Sequence, residues 1–95
     1  MENTVLEKFH QGRQSLGTFS AIGSPLAVES LRYTGLDYVI VDTEHSPAGI
    51  ESAAAQIAAA QGAGLTALAR ANEISRTAVL RLLDVGAQGV VVPCV

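Results

Sequence analysis

Asp37-Tyr38-Val39-Ile40-Val41-Asp42-Thr43-Glu44-His45-Ser46-Pro47 is the stretch that decides the fold. Four apolar residues, Tyr38 to Val41, stand between two aspartates. A short β-branched and aromatic run with polar ends predicts a strand buried on both faces. Two acids and an imidazole, Asp42, Glu44 and His45, follow within four residues, and Pro47 opens a helical pattern. A buried strand that delivers ionisable groups at its C-terminal end, just before a helix, is how α/β folds present reactive side chains.

The same strand-then-helix unit recurs on either side. Upstream, Thr4 as N-cap with Glu7 three residues on fits a capping box, so a short leading helix with Leu6 and Phe9 on one stripe is expected, ending at Gly12. His10 in that helix reads as a surface histidine. Gly17 to Ile22 predicts the first strand, and Ser24-Pro25 a helix start carrying Ala27, Val28 and Leu31 inward. Downstream, Ile50, Ala53, Ala54, Ile57 and Ala58 have helical spacing up to the glycines at 62 and 64. Leu65 to Ala69 predicts a third strand delivering Arg70. Ser75 then caps a helix, with Ile74 and Val79 as a hydrophobic staple and Val79, Leu82 and Leu83 facing the sheet, before Gly86. Gly89 to Pro93 predicts the fourth strand. Parallel (β/α) units at roughly 20 to 30 residue intervals predict an α/β fold with a parallel sheet and right-handed crossovers. Such a sheet would have two open edges and an uncovered face. Residues 1–95 are therefore expected to be one unit that either assembles with a partner or is the first half of a larger barrel.

Composition narrows the function classes. The 95 residues are 48% hydrophobic and carry a net charge of −3 with only six Lys plus Arg. Disorder is excluded, and no basic cluster suggests nucleic-acid binding. No apolar run approaches the roughly 20 residues that a membrane span needs. Met1-Glu2-Asn3-Thr4 does not resemble a secretory signal. Cys94 is the single cysteine; it reads as a small buried hydrophobe, and a cytoplasmic location is expected.

The candidate chemistry lies at the predicted strand ends. His45, with an ordinary pKa near 6.5, can act as a general base; a hydrogen-bonded structural histidine is the alternative. Arg70 ends an otherwise apolar strand, where its planar fork suits a carboxylate or an enolate oxygen; a buried ion pair with Asp42 or Glu44 is the alternative. Asp42 and Glu44 could orient His45, pair with Arg70 or act as ligands. Lys8 is the only lysine and lies in the leading helix, so no strand end carries a Schiff-base nucleophile. Carbanion chemistry here would need a metal or another electron sink. No GxGxxG, P-loop or Cys/His cluster is present.

Four segments in order together resemble the HpcH/HpaI aldolase family. They are Gly17-Thr18-Phe19 with Gly23-Ser24-Pro25, the Asp37 to Pro47 stretch, Ala69-Arg70-Ala71-Asn72, and Leu82-Leu83-Asp84-Val85-Gly86 running on to Pro93. The resemblance extends from about Gly12 to the end and is to class II, divalent-metal pyruvate aldolases such as 4-hydroxy-2-oxoheptanedioate and 2-dehydro-3-deoxyglucarate aldolases. It implies a TIM (β/α)8 barrel with a short leading helix, a homo-oligomer (hexameric in the family) and a small 2-oxo acid substrate. It implies His45 as proton acceptor, Arg70 as transition-state oxyanion stabiliser, and Asp84 as the group that raises the basicity of His45. Ser24 and Pro25 would lie near the mouth with no assigned chemical role. The implied cofactor is Mg²⁺, Mn²⁺ or Co²⁺, with a glutamate and an aspartate ligand expected beyond Val95 and none within the chain. Cys94 stands where relatives are expected to have methionine.

The expected activity is reversible cleavage of a 4-hydroxy-2-oxo acid to pyruvate and an aldehyde, with residues 1–95 alone inactive. Two alternatives stand beside it. One is a related lyase or decarboxylase acting on an acyl-CoA or oxaloacetate; the other is a non-catalytic half-barrel that only oligomerises. Because Asp84 closes a predicted helix of about 10 residues, roughly 15 Å long, it is expected far from His45 in the same chain and near it only from a neighbouring subunit; a local cap or pair near Arg81 is the alternative.

Overall fold

A computed structural model describes residues 3–44 and 49–93. A leading helix α1 (Thr4–His10) precedes β1 (Gly17–Ser20), α2 (Pro25–Ser30), β2 (Tyr38–Asp42), α3 (Ile50–Gly62), β3 (Thr66–Arg70), α4 (Arg76–Asp84) and β4 (Gly89–Val91). The four strands form one parallel sheet in chain order. Among the described residues, no helix is long and apolar enough to cross a membrane.

Strand alternation divides the side chains between two faces. Val39 and Val41 of β2 lie beside Ala67 and Ala69 of β3, and all four are fully buried under α3, whose Ala53, Ile57 and Ala60 meet them. α2 packs beside α3, and α4 packs against α3 and β4. The small alanines let α3 lie close to the sheet, as their spacing predicts. On the other face, Phe19, Ile40 and Leu68 form one row and Asp42, Arg70 and Val91 the next. Gly17 starts β1 because a Cβ there would run into the Tyr38 ring.

The helix caps expected at Ser24 and Ser75 are present: their hydroxyls accept from the backbone N–H groups of Ala27 and Ala78. The first cap differs. Asn3 rather than Thr4 caps α1, accepting from the Leu6 N–H. The Thr4 hydroxyl is taken by a tertiary contact, donating to the Asp37 carbonyl, while the Thr4 N–H donates to Thr66 Oγ1. Several bounds also shift. β1 ends at Ser20, two residues before Ile22, and β4 at Val91. β3 includes Arg70 rather than ending before it. In α4, Leu82 is buried together with partly buried Ala78, four residues earlier, whereas Leu83 is 46% exposed one step round the helix. In α3 the buried stripe runs through Ala53, Gln56, Ile57 and Ala60, leaving Ala58 exposed. Ile74 is exposed and lines one apolar surface hollow together with Val79.

Candidate active site

The C-terminal ends of β2 and β3 bring Asp42 and Arg70 side by side, paired residues in the sheet register. Arg70 donates from Nε to Asp42 Oδ1 at 3.1 Å and from Nη2 to Asp42 Oδ2 at 2.7 Å. This is the bidentate fork that fixes both the position and the plane of a guanidinium. The Asp42 side chain is 4% exposed and that of Arg70 21%, so the pair is largely withdrawn from water and salt screens it little. Glu44 places Oε1 3.4 Å from Arg70 Nε, while its backbone N–H donates to Asp42 Oδ1 at 2.9 Å. Thr43 binds the Arg70 carbonyl through both its N–H and its hydroxyl. That continues the β2–β3 pairing one residue past the strand. The Phe19 ring of β1 lies with its centroid 4.7 Å from the guanidinium carbon, a cation–π distance.

Of the residues singled out in the sequence, Asp42, Glu44 and Arg70 are thus brought together. His45 immediately follows Glu44 and, like Cys94, lies outside the described residues. Asp84 is the last residue of α4. Because α4 runs back between parallel β3 and β4, its end lies at the strands' N-terminal pole, opposite Arg70. Among the described residues, no ion pair joins Asp84 to Arg81.

Among the described residues, no three His, Cys, Asp or Glu side chains gather as a ligand set. Asp42 and Glu44 both turn carboxylate oxygens to Arg70. The described strand ends therefore do not fit a divalent cation.

A sequence profile decides the relationship: that of the HpcH/HpaI aldolase/citrate lyase family matches residues 15–95. The chain belongs to this family. As an HpcH/HpaI chain it is 30% identical over 83 residues to the 5-keto-4-deoxy-D-glucarate aldolase of Citrobacter koseri, a match covering 87% of this chain and 32% of that protein. It is 30% identical over 93 residues to the hydroxypyruvate/pyruvate aldolase of Roseovarius nubinhibens, covering 98% of this chain and 36% of that one. It thus spans about a third of the length of these curated relatives. Among solved structures, the HpcH/HpaI aldolase of Desulfitobacterium hafniense matches with a TM-score of 0.83 and 32% identity, over 94% of this chain and 35% of that one. Citrate synthase SbnG matches with a TM-score of 0.92 and 31% identity, over 99% and 38%. These neighbours are TIM-barrel proteins, and the four-stranded parallel sheet of this HpcH/HpaI chain has their α/β class.

Two residues near this site went unmarked in the sequence: Phe19, which touches Arg70, and Gln56, which bonds Ser20 from the opposite face of the sheet. Phe19 is an ordinary strand aromatic in sequence, and nothing local marks its stack on Arg70. Gln56 had a usable signal: it falls three residues after Ala53, within the buried stripe of α3, where a carboxamide needs partners.

Proposed function

We propose that residues 1–95 form the N-terminal half, (β/α)1–4, of a (β/α)8 barrel. In this proposal the whole protein is a cytoplasmic, homo-oligomeric aldehyde-lyase that reversibly cleaves a 4-hydroxy-2-oxo acid to pyruvate and an aldehyde. The observation that carries it is the Asp42–Arg70 fork at adjacent strand ends, where barrel enzymes place their chemistry. In cleavage His45 takes the proton of the C4 hydroxyl. The C3–C4 bond breaks, the aldehyde carbonyl forms, and the electron pair passes to the enolate of pyruvate. Arg70, already oriented by Asp42, faces the oxygen on which that charge develops, so little reorganisation is needed as the charge grows. Protonation of C3 completes pyruvate; in condensation His45 takes a proton from the pyruvate methyl. The Mg²⁺, Mn²⁺ or Co²⁺ that the resemblance implies would find its ligands outside the described residues, and no step here is routed through it. Residues 1–95 alone are inactive in this proposal.

Pyruvate release by a full-length barrel carrying this segment is the test. His45→Ala and Arg70→Lys should each lose cleavage; wild-type turnover in either would place the chemistry elsewhere. Asp84 would act on His45 from a neighbouring subunit, so mixed oligomers of inactive His45→Ala and Asp84→Ala chains should recover part of the activity. The likeness to citrate synthase SbnG supports a second reading, a related lyase or decarboxylase acting on an acyl-CoA or oxaloacetate. A substrate panel separates the two.

A further inference from the structure

Gln56 sits on the sheet side of α3 with 0% exposure, among alanines and valines. Its carboxamide joins two other groups. Oε1 accepts from Ser20 Oγ at 3.0 Å, and Nε2 donates to Ser52 Oγ at 3.2 Å. The Ser52 hydroxyl in turn donates to the Gly23 carbonyl at 3.4 Å. One buried amide thus ties the last residue of β1, and the loop that follows it, to the middle of α3. Desolvating a carboxamide is costly, and a leucine would occupy similar space without that penalty. What the amide supplies instead is direction.

Ser20 and Phe19 are consecutive strand residues and point to opposite faces. Ser20 is held from the helix side by Gln56. Phe19, on the other face, carries the ring that lies 4.7 Å from the Arg70 guanidinium carbon. β1 is only four residues long and, among the described residues, pairs along one side alone. Pairing along one side is a weak constraint on where the end of so short a strand points.

We infer that Gln56 is a positioning residue: through Ser20 it fixes the C-terminal end of β1 and so holds the Phe19 ring on the guanidinium of Arg70. That this orientation serves catalysis rests on the role proposed for Arg70 above; the tether itself does not.

Nuclear magnetic resonance of the 95-residue chain tests the tether without any assay of activity, so its failure and that of the aldolase proposal are separate results. The readouts are the Arg70 Nε–H and side-chain proton resonances, shifted by the Phe19 ring, and the nuclear Overhauser contacts between the two side chains. In Gln56→Leu those contacts should disappear, and the ring-induced shifts should collapse. Ser20→Ala, which deletes one hydroxyl and leaves the core intact, should do the same should Gln56→Leu not fold. Gln61→Leu is the control: Gln61 lies in the same helix but donates to the Gly86 carbonyl at 2.8 Å, toward the opposite pole. It should leave the Arg70 and Phe19 signals in place. Wild-type signals in both Gln56→Leu and Ser20→Ala would overturn the inference. So would equal loss in Gln61→Leu, which would mean general loosening of α3.

Discussion

An ion pair holds each end of the sheet, and the two pairs differ in what surrounds the cation. At the N-terminal pole, Lys8 of α1 reaches Asp37 at 2.8 Å. The same carboxylate accepts the Leu16 backbone N–H at 2.9 Å, and Thr4 bonds Thr66 and the Asp37 carbonyl. One ammonium meets one carboxylate, and the result is closure: the leading helix is tied to the start of β2 and β3. The Lys8 ammonium, then the Leu16 N–H, hold the Asp37 carboxyl below its ordinary pKa. At the C-terminal pole, one guanidinium meets two carboxylates and an aromatic face. Two carboxylates and a ring around one cation hold the plane of Arg70 in place. Lysine serves where a compact charge anchors a helix; arginine serves where a plane must be aimed.

The largest effect should separate the poles by activity. In a full-length barrel, Arg70→Lys should lower turnover by roughly 10²–10⁴-fold, the range for loss of a positioned charge or base. Lys8→Met should leave turnover near wild type. Comparable loss in both, measured as pyruvate release, would erase the functional distinction between the two ends.

Stability should rank the poles in the same order. Asp42→Ala removes both arms of the fork from a largely buried guanidinium and should cost about 3 kcal/mol. Urea titration with an unchanged slope would show it. A cost below about 1 kcal/mol would make the fork no stronger than a surface pair.

Lys8→Met should cost about 1 kcal/mol or less at neutral pH, since one ammonium meets one carboxylate there instead of a bidentate fork, and Asp37 keeps the Leu16 N–H when Lys8 is gone. Its pH dependence carries a sign. A carboxyl with a lowered folded pKa stabilises above its unfolded value, about 3.9, and that stabilisation is lost as pH falls through the folded value. The difference between wild type and Lys8→Met should therefore be full above about pH 5 and shrink below about pH 4. A difference that grows on acidification would contradict it. Smallest of all, Asn3→Ala should cost about 0.5–1 kcal/mol by removing the cap of α1. No measurable change would mean that Thr4 and Lys8 alone hold the helix.

Much of the fold was legible because each unit repeats its signals locally. The strand at Tyr38–Val41 and the caps at Ser24 and Ser75 depend only on neighbours in sequence, and the structure shows each of them. Burial is less local: the face of β2 carrying Tyr38 and Ile40 is only half-buried, and the stripe of α3 runs through Ala53, Gln56, Ile57 and Ala60 rather than Ile50, Ala54 and Ala58. The errors fall where a side chain has a distant competitor. Thr4 has the right chemistry for a cap, but Thr66 and the Asp37 carbonyl engage it instead, so Asn3 caps α1. Leu83 fits an apolar stripe in sequence, yet the sheet meets the 78–82 row of α4 and leaves Leu83 in water.

The candidate site divides along the same line. Sequence alone placed Asp42, Glu44 and Arg70 at strand ends, because strand period and chain direction determine which residues come last before each loop. Whether Arg70 would bond Asp42 or Glu44 was left open, and only the register of β2 against β3, which sets Asp42 opposite Arg70, decided for the Asp42 fork. The stack of Phe19 on Arg70 and the tether of Ser20 to Gln56 were likewise decided only in three dimensions. Each joins residues far apart in the chain, across strands or between strand and helix, and no local pattern encodes a contact made only when the sheet is assembled.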